Sequence, residues 1–167
     1  MFTSVKAFTD HWKEQSDATR KILGALSEKS LSAKVAPEHR NLARMAWHIA
    51  LTIPEMAKLT GLKLEGPKKD APLPKTLKEI REGYDVAADS LLEQVQTNWT
   101  DATLQVEDNM FGENWKRGYS LLVIVQHEIH HRGQMTVLMR QAGLKVPGVF
   151  GPSKEEWADY NAPVPEI

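Results

Sequence analysis

The sequence predicts an all-α protein: a four-helix bundle with a long crossover after helix two and a short C-terminal helix. Three observations carry this. Four segments place apolar residues at alternating steps of three and four, the spacing of a helix with one buried face. Glycine, proline and charged stretches separate them. The connections are unequal in length, so strict up-down-up-down order is not required.

Val5, Phe8, Trp12, Gln15, Thr19, Ile22 and Leu26 form the seam of the first helix, with Thr3 available as its cap. Gln15 and Thr19 are polar members of that seam, which places them near the surface or facing a wet cavity. Ser27 to Arg40 reads as a connection. The second helix starts after Asn41, a good N-cap, and its stripe is Leu42, Met45, Ile49, Ile53 and Met56. Pro54 should kink it or end its first half, and Gly61 closes it. Lys63 to Lys75 holds three prolines, a glycine and several charges, so it reads as a surface crossover.

Thr76-Leu77-Lys78-Glu79 is a capping box. It opens a third helix on Leu77, Ile80, Tyr84, Ala87, Leu91 and Val95, running to about Trp99. Thr100 to Arg117 is irregular, with an extended piece at Leu104-Gln105-Val106 and a turn at Phe111-Gly112-Glu113-Asn114. The fourth helix spans about Gly118 to Ala142, with Leu122, Val123, Ile129, Val137 and Leu138 in its interior, and Gly143 stops it. Ser153-Lys154-Glu155-Glu156 is a second capping box before a short helix to about Tyr160. Pro163 to Ile167 is a tail. No repeat interrupts residues 1–167, which read as one domain.

Composition narrows the function. The net charge is −1 over 167 residues, and the basic residues are scattered, which points away from nucleic acid and acidic membranes. No apolar run reaches the length of a membrane span, and the N-terminus lacks a signal peptide's apolar core, so a cytoplasmic protein is expected. There is no cysteine. Disulfides, thiolate ligands and a cysteine nucleophile are therefore excluded, and any metal must be held by His, carboxylate and water.

The chemistry concentrates in Gln126-His127-Glu128-Ile129-His130-His131-Arg132-Gly133-Gln134. His127 and His131 are four apart and stack on one helical face, close enough to share an ion. Neutral imidazole is a common ligand for Zn, Ni, Cu and Fe(II). His48, inside the apolar second helix, is the candidate third ligand, since facing bundle helices assemble metal sites. His130 lies about 100° around the helix from His131 and is assigned to packing or to supporting a ligand. Gly133 would allow another helix to approach, and Gln134 could orient a ligand or substrate. His11 and His39 read as solvated. Trp12, Gln15, Thr52, Glu55 and Ile124 are candidates for lining a pocket near the ion, with core packing as the alternative.

Two patterns compete for these residues. His127-Glu128-Ile129-His130-His131 satisfies the His-Glu-x-x-His motif of zinc peptidases, with Glu128 as general base and Glu155 or Glu156 as a third ligand. The longer string His127-x-x-x-His131-Arg132-Gly133-Gln134, together with Trp47-His48-Ile49-Ala50, resembles the DinB family of the DinB/YfiT-like metalloenzyme superfamily. Pro147-Gly148-Val149-Phe150-Gly151-Pro152-Ser153 is similar to the endings of such proteins. The resemblance implies a three-histidine site of His48, His127 and His131 for a divalent ion, nickel or zinc, with open positions for water or substrate. It also implies a four-helix bundle that commonly dimerises. Characterised relatives include thiol-dependent transferases and isomerases using bacillithiol, mycothiol or glutathione. The expected function is therefore a metal-dependent enzyme on a small-molecule substrate, either an S-transferase using a low-molecular-weight thiol or a metal-assisted hydrolase. A non-catalytic metal-binding stress-response protein is the alternative, with the zinc peptidase third.

Overall fold

A computed structural model describes residues 1–166. Four helices dominate: α1 (Val5–Gly24), α2 (Leu42–Lys58), α3 (Leu77–Asn98) and α4 (Arg117–Gln141). α1 packs against α3 and α4, and α2 packs against the same two. α1 and α2 therefore stand at opposite corners, and α4 runs between them. That placement brings α4 residues within reach of both.

The helix boundaries follow local chemistry. Ser4, rather than Thr3, caps α1, its side chain accepting from Ala7 N–H. Asn41 caps α2 by accepting from Arg44 N–H at 2.8 Å. Thr76 and Glu79 form the complete capping box of α3. Pro54 lies within α2 without ending it. The second capping box forms only by half. Glu156 accepts from Ser153 N–H at 2.9 Å and from Gly148 N–H, but no Ser153 side-chain bond caps the single 3-10 turn Trp157–Tyr160.

The stripes of α2 and α3 are buried as expected: Leu42, Met45, Ile49, Ile53 and Met56 on one, and Leu77, Ile80, Tyr84, Ala87, Leu91 and Val95 on the other. α4 differs. Its buried apolar residues are Leu121, Ile124, Val125, Met135, Leu138 and Met139, while Leu122, Val123 and Ile129 are half-buried and Val137 is 57% exposed. The face is turned because Glu128 and Arg132 occupy the inner positions between these apolar groups.

The expected close approach at Gly133 does not occur. It is exposed, and a Cβ there would meet nothing within 4 Å. Gly83 on α3 fills that role, since a Cβ there would sit 2.4 Å from the Trp47 ring. Trp47 Nε1 also donates to Ala71 O at 3.3 Å, tying the crossover to α2.

The segment before α4 is more ordered than its sequence indicates. Thr103–Gln105 is a 3-10 turn, not an extended piece. β1 (Glu107–Met110) and β2 (Glu113–Lys116) form an antiparallel hairpin. Phe111 (φ 58°) and Gly112 (φ 95°) both take positive φ, the requirement of a tight two-residue hairpin turn. Pro163 to Glu166 carry no regular structure, and Ile167 lies outside the described residues. No helix among the described residues is long and apolar enough to cross a membrane.

Candidate metal centre

α2 and α4 bring His48, His127 and His131 together. His131 Nε2 lies 3.1 Å from His48 Nε2 and 3.2 Å from His127 Nε2. One donor nitrogen from each ring falls within 4.8 Å of the others. Imidazoles bound at about 2.0–2.1 Å from a common metal hold neighbouring nitrogens about 2.9 Å apart in octahedral and about 3.3 Å apart in tetrahedral geometry. Both separations from His131 fall in that interval, so the donor set fits a single transition-metal ion.

Hydrogen bonds behind the rings fix which nitrogens face inward. Gln134 Oε1 lies 2.8 Å from His131 Nδ1. A carbonyl oxygen only accepts, so Nδ1 carries the proton and Nε2 presents a lone pair. The Gln134 amide nitrogen lies 3.0 Å from His130 Nε2, so His130 supports a ligand at one remove, as its position around the helix suggested. Thr52 Oγ1 spends its proton on the carbonyl of His48 or Ile49. It is therefore an acceptor toward His127 Nδ1, 3.4 Å away, and His127 Nε2 also presents a lone pair. Two lone pairs thus face each other across 3.2 Å, an arrangement that a cation relieves.

A proton does not supply that cation at neutral pH. Burial, reinforced by Arg40 and the neighbouring imidazoles, pushes His48 down to about 4. Burial and the adjacent His131 push His127 down to about 4 as well. His131 is also lowered, chiefly by burial. Desolvation disfavours the charged ring, and each charged ring would repel the next.

Glu128 does not face this cluster. It is 1% exposed and points toward α1 and α3, where its Oε1 accepts from Thr19 Oγ1 at 2.6 Å and Tyr84 OH at 2.9 Å. Arg132, equally buried, lies 3.9 Å from the same oxygen. It donates to Gln15 O at 2.8 Å, Gln15 Oε1 at 2.6 Å and Thr19 Oγ1 at 3.0 Å. Gln15 and Thr19 are therefore neither surface groups nor pocket lining. They satisfy the buried Glu128–Arg132 pair, one step around α4 from the histidines. Trp12 is likewise core, fully buried with Nε1 donating to Ala88 O at 2.9 Å. Ile124 is buried, while Thr52 stands behind His127 and Glu55 pairs with Lys69 at 2.9 Å.

The peptidase arrangement is not assembled. Its general base faces away, and His48, which that motif does not use, stands with the pair. Glu155 is held by the two terminal guanidinium nitrogens of Arg140, and Glu156 by the amides of Gly148 and Ser153. His39 is exposed; His11 is partly covered, with its ring 5.9 Å from that of Phe2. The Glu128–Arg132 network was not anticipated. Its signal was a second i, i+4 pair interleaved with His127 and His131, one step around the helix.

Comparison with known proteins agrees with this fold. The chain is 40% identical over 167 residues, the full length of both, to YrdA of Bacillus subtilis (strain 168). A crystal structure of a DinB-like protein from Bacillus cereus ATCC 10987 superposes with a TM-score of 0.86 at 43% identity, covering 90% of this chain and all of the other. The DinB-like protein YjoA of Bacillus subtilis shares the fold at a TM-score of 0.68 and 21% identity, over 86% of this chain and 96% of that one. The sequence profile of the DinB family matches residues 1–166, and the chain belongs to that family.

Proposed function

We propose that the chain binds a divalent transition metal, nickel or zinc, through Nε2 of His48, His127 and His131, and that it is a metal-dependent enzyme. The observation that carries this reading is the pair of inward lone pairs on His127 and His131, 3.2 Å apart, with His48 Nε2 alongside at 3.1 Å.

Among the described residues only the three histidines make up the cluster. Structural ions normally have their coordination closed by protein ligands, whereas three protein ligands leave a position for water or substrate. This favours catalysis over a non-catalytic metal-binding protein. Bound there, a divalent ion lowers the pKa of a coordinated thiol or water and so supplies a nucleophile at neutral pH.

The residues of the chain do the positioning. Gln134 holds His131, Thr52 holds His127, and the depressed pKa values keep the rings neutral and available. With no cysteine in the chain, a thiol reactant would come from a low-molecular-weight compound. S-transfer from such a thiol to an electrophile is the first reading, and metal-assisted hydrolysis the second. A homodimer acting in the cytoplasm, on a small molecule rather than on nucleic acid or membrane, is the setting that fits.

The test is to strip the purified protein, reload it with nickel or zinc, and measure metal content and conjugation of a low-molecular-weight thiol to a test electrophile. Metal at one equivalent with a rate above the metal-free protein supports the transferase. One equivalent without turnover of thiol conjugation or ester hydrolysis supports the non-catalytic alternative. Unchanged metal content in His48→Ala overturns the site.

A further inference from the structure

A groove of about 580 Å³ reaches the imidazole cluster at His131, which lies in its wall with Gln134. The connection after α1 contributes Val35 and Arg40, and α4 contributes Val137. Val35 is 62% exposed and Val137 57% exposed, so aliphatic surface lines the groove without any cover from the chain. Arg40 is exposed and makes no ion pair among the described residues. The volume falls within the range of small-molecule sites.

We propose that this groove holds the body of the reactant, and that the reactant is an aliphatic molecule bearing one anionic group. The aliphatic part lies on Val35 and Val137, the anion pairs with Arg40, and the reacting end reaches the open side of His131. Glu38 also lines the groove and would repel additional negative charge, which favours one anionic group over several. Arg40 is then a specificity residue. This inference rests on the metal-centre reading above.

The experiment uses cobalt(II)-loaded protein, in which thiolate binding to the metal is followed by charge-transfer absorbance. Two probe series are titrated: unbranched ω-mercaptocarboxylates of increasing length, and the neutral ω-mercaptoalcohols of matching length. At the length that spans from metal to Arg40, the carboxylate should bind about tenfold more tightly than its alcohol, the scale of a partly exposed charge-assisted hydrogen bond. Arg40→Ala should abolish that preference with cobalt content unchanged, and Arg40→Lys should restore part of it. Equal affinity for the two series in the unaltered protein, or a preference that survives Arg40→Ala, overturns the inference and leaves the metal site standing. Failure of both series to bind a cobalt-loaded site would remove the thiol-accepting metal centre, and this inference with it.

Discussion

Gln134 Oε1 sits 2.8 Å from His131 Nδ1, one turn further along α4, and this contact decides which imidazole nitrogen looks into the cluster. The bond forces the Nδ1–H tautomer and turns the Nε2 lone pair inward. Partners behind a metal ligand raise its basicity and fix its ring, and losing one typically costs about 10- to 100-fold in affinity. Gln134→Leu should therefore weaken metal binding by that amount. Gln134→Glu should retain tight binding, because a carboxylate still accepts. Competition titration against a chromophoric chelator measures both. Gln134 is exposed, so unfolding of the metal-free variants should match that of the unaltered protein.

His48 is the ligand contributed by α2, and its removal separates metal binding from folding. His48→Ala should abolish the increase in melting temperature produced by nickel or zinc. A ligand at 100 times its Kd adds about 2.7 kcal/mol of stability, so the lost increment is large enough to read by differential scanning fluorimetry. In the presence of a chelator the variant should melt close to the unaltered protein, since His48 is only half-buried. A metal-induced shift that persists in His48→Ala would count against α2 as a source of ligand.

The four helices and the His127–His131 pair were legible because each rests on spacing within one segment, whereas His48, on a different helix, joins the pair through the resemblance to the DinB family. Leu77 to Val95 and Leu42 to Met56 bury the stripes that their periodicity marks. The hairpin was not legible. Glu107-Asp108-Asn109-Met110 and Glu113-Asn114-Trp115-Lys116 lack the β-branched alternation of a strand, and only Phe111-Gly112 signalled a turn. Gln15 and Thr19 were misplaced for a different reason. A polar residue in an apolar seam is buried only when a partner meets it, and theirs, Arg132 and Glu128, stand more than a hundred residues away on α4. One helix read alone cannot show its neighbour's charges. Val137 appeared interior for the same reason, since Glu128 and Arg132 claim the inner face that an apolar count assigns to aliphatic groups.

Glu128 carries structure rather than chemistry, and that assignment is testable. Glu128→Ala would leave Arg132 buried without its carboxylate and strip the acceptor from Thr19 and Tyr84. Breaking a buried pair from one side costs about 3–5 kcal/mol. Urea denaturation of the metal-free protein should show a loss on that scale. Glu128→Gln keeps an acceptor for the two hydroxyls and should lose less. A peptidase base would behave in the opposite way, abolishing turnover with little change in stability.

α4, together with His48 of α2, holds groups whose titrations oppose one another, and this shapes the response to pH. His48 and His127 fall from 6.5 to about 4 in the folded chain, first through burial. Between those values the unfolded chain binds more protons, so their contribution to stability is present above about pH 6.5 and lost as pH falls toward about 4. Burial raises Glu128 from 4.5 to about 7. Here the folded chain holds the extra proton, so that contribution is present below about pH 4.5 and lost as pH rises through about 7. Over the shared window the histidines outnumber the carboxyl, because His131 is lowered too. Metal-free protein should therefore lose stability on acidification from about pH 6.5 to about pH 5 in urea unfolding with chelator present. Replacing His48 and His127 together with Ala should flatten or reverse that slope, because Glu128 then acts with less opposition. Metal-loaded protein should keep its added stability down to about pH 5 and lose it as pH falls through about 4, where the folded rings take up protons, since each imidazole must be neutral to hold the ion. A slope unaffected by the double replacement would show that these rings are not the groups that take up the protons.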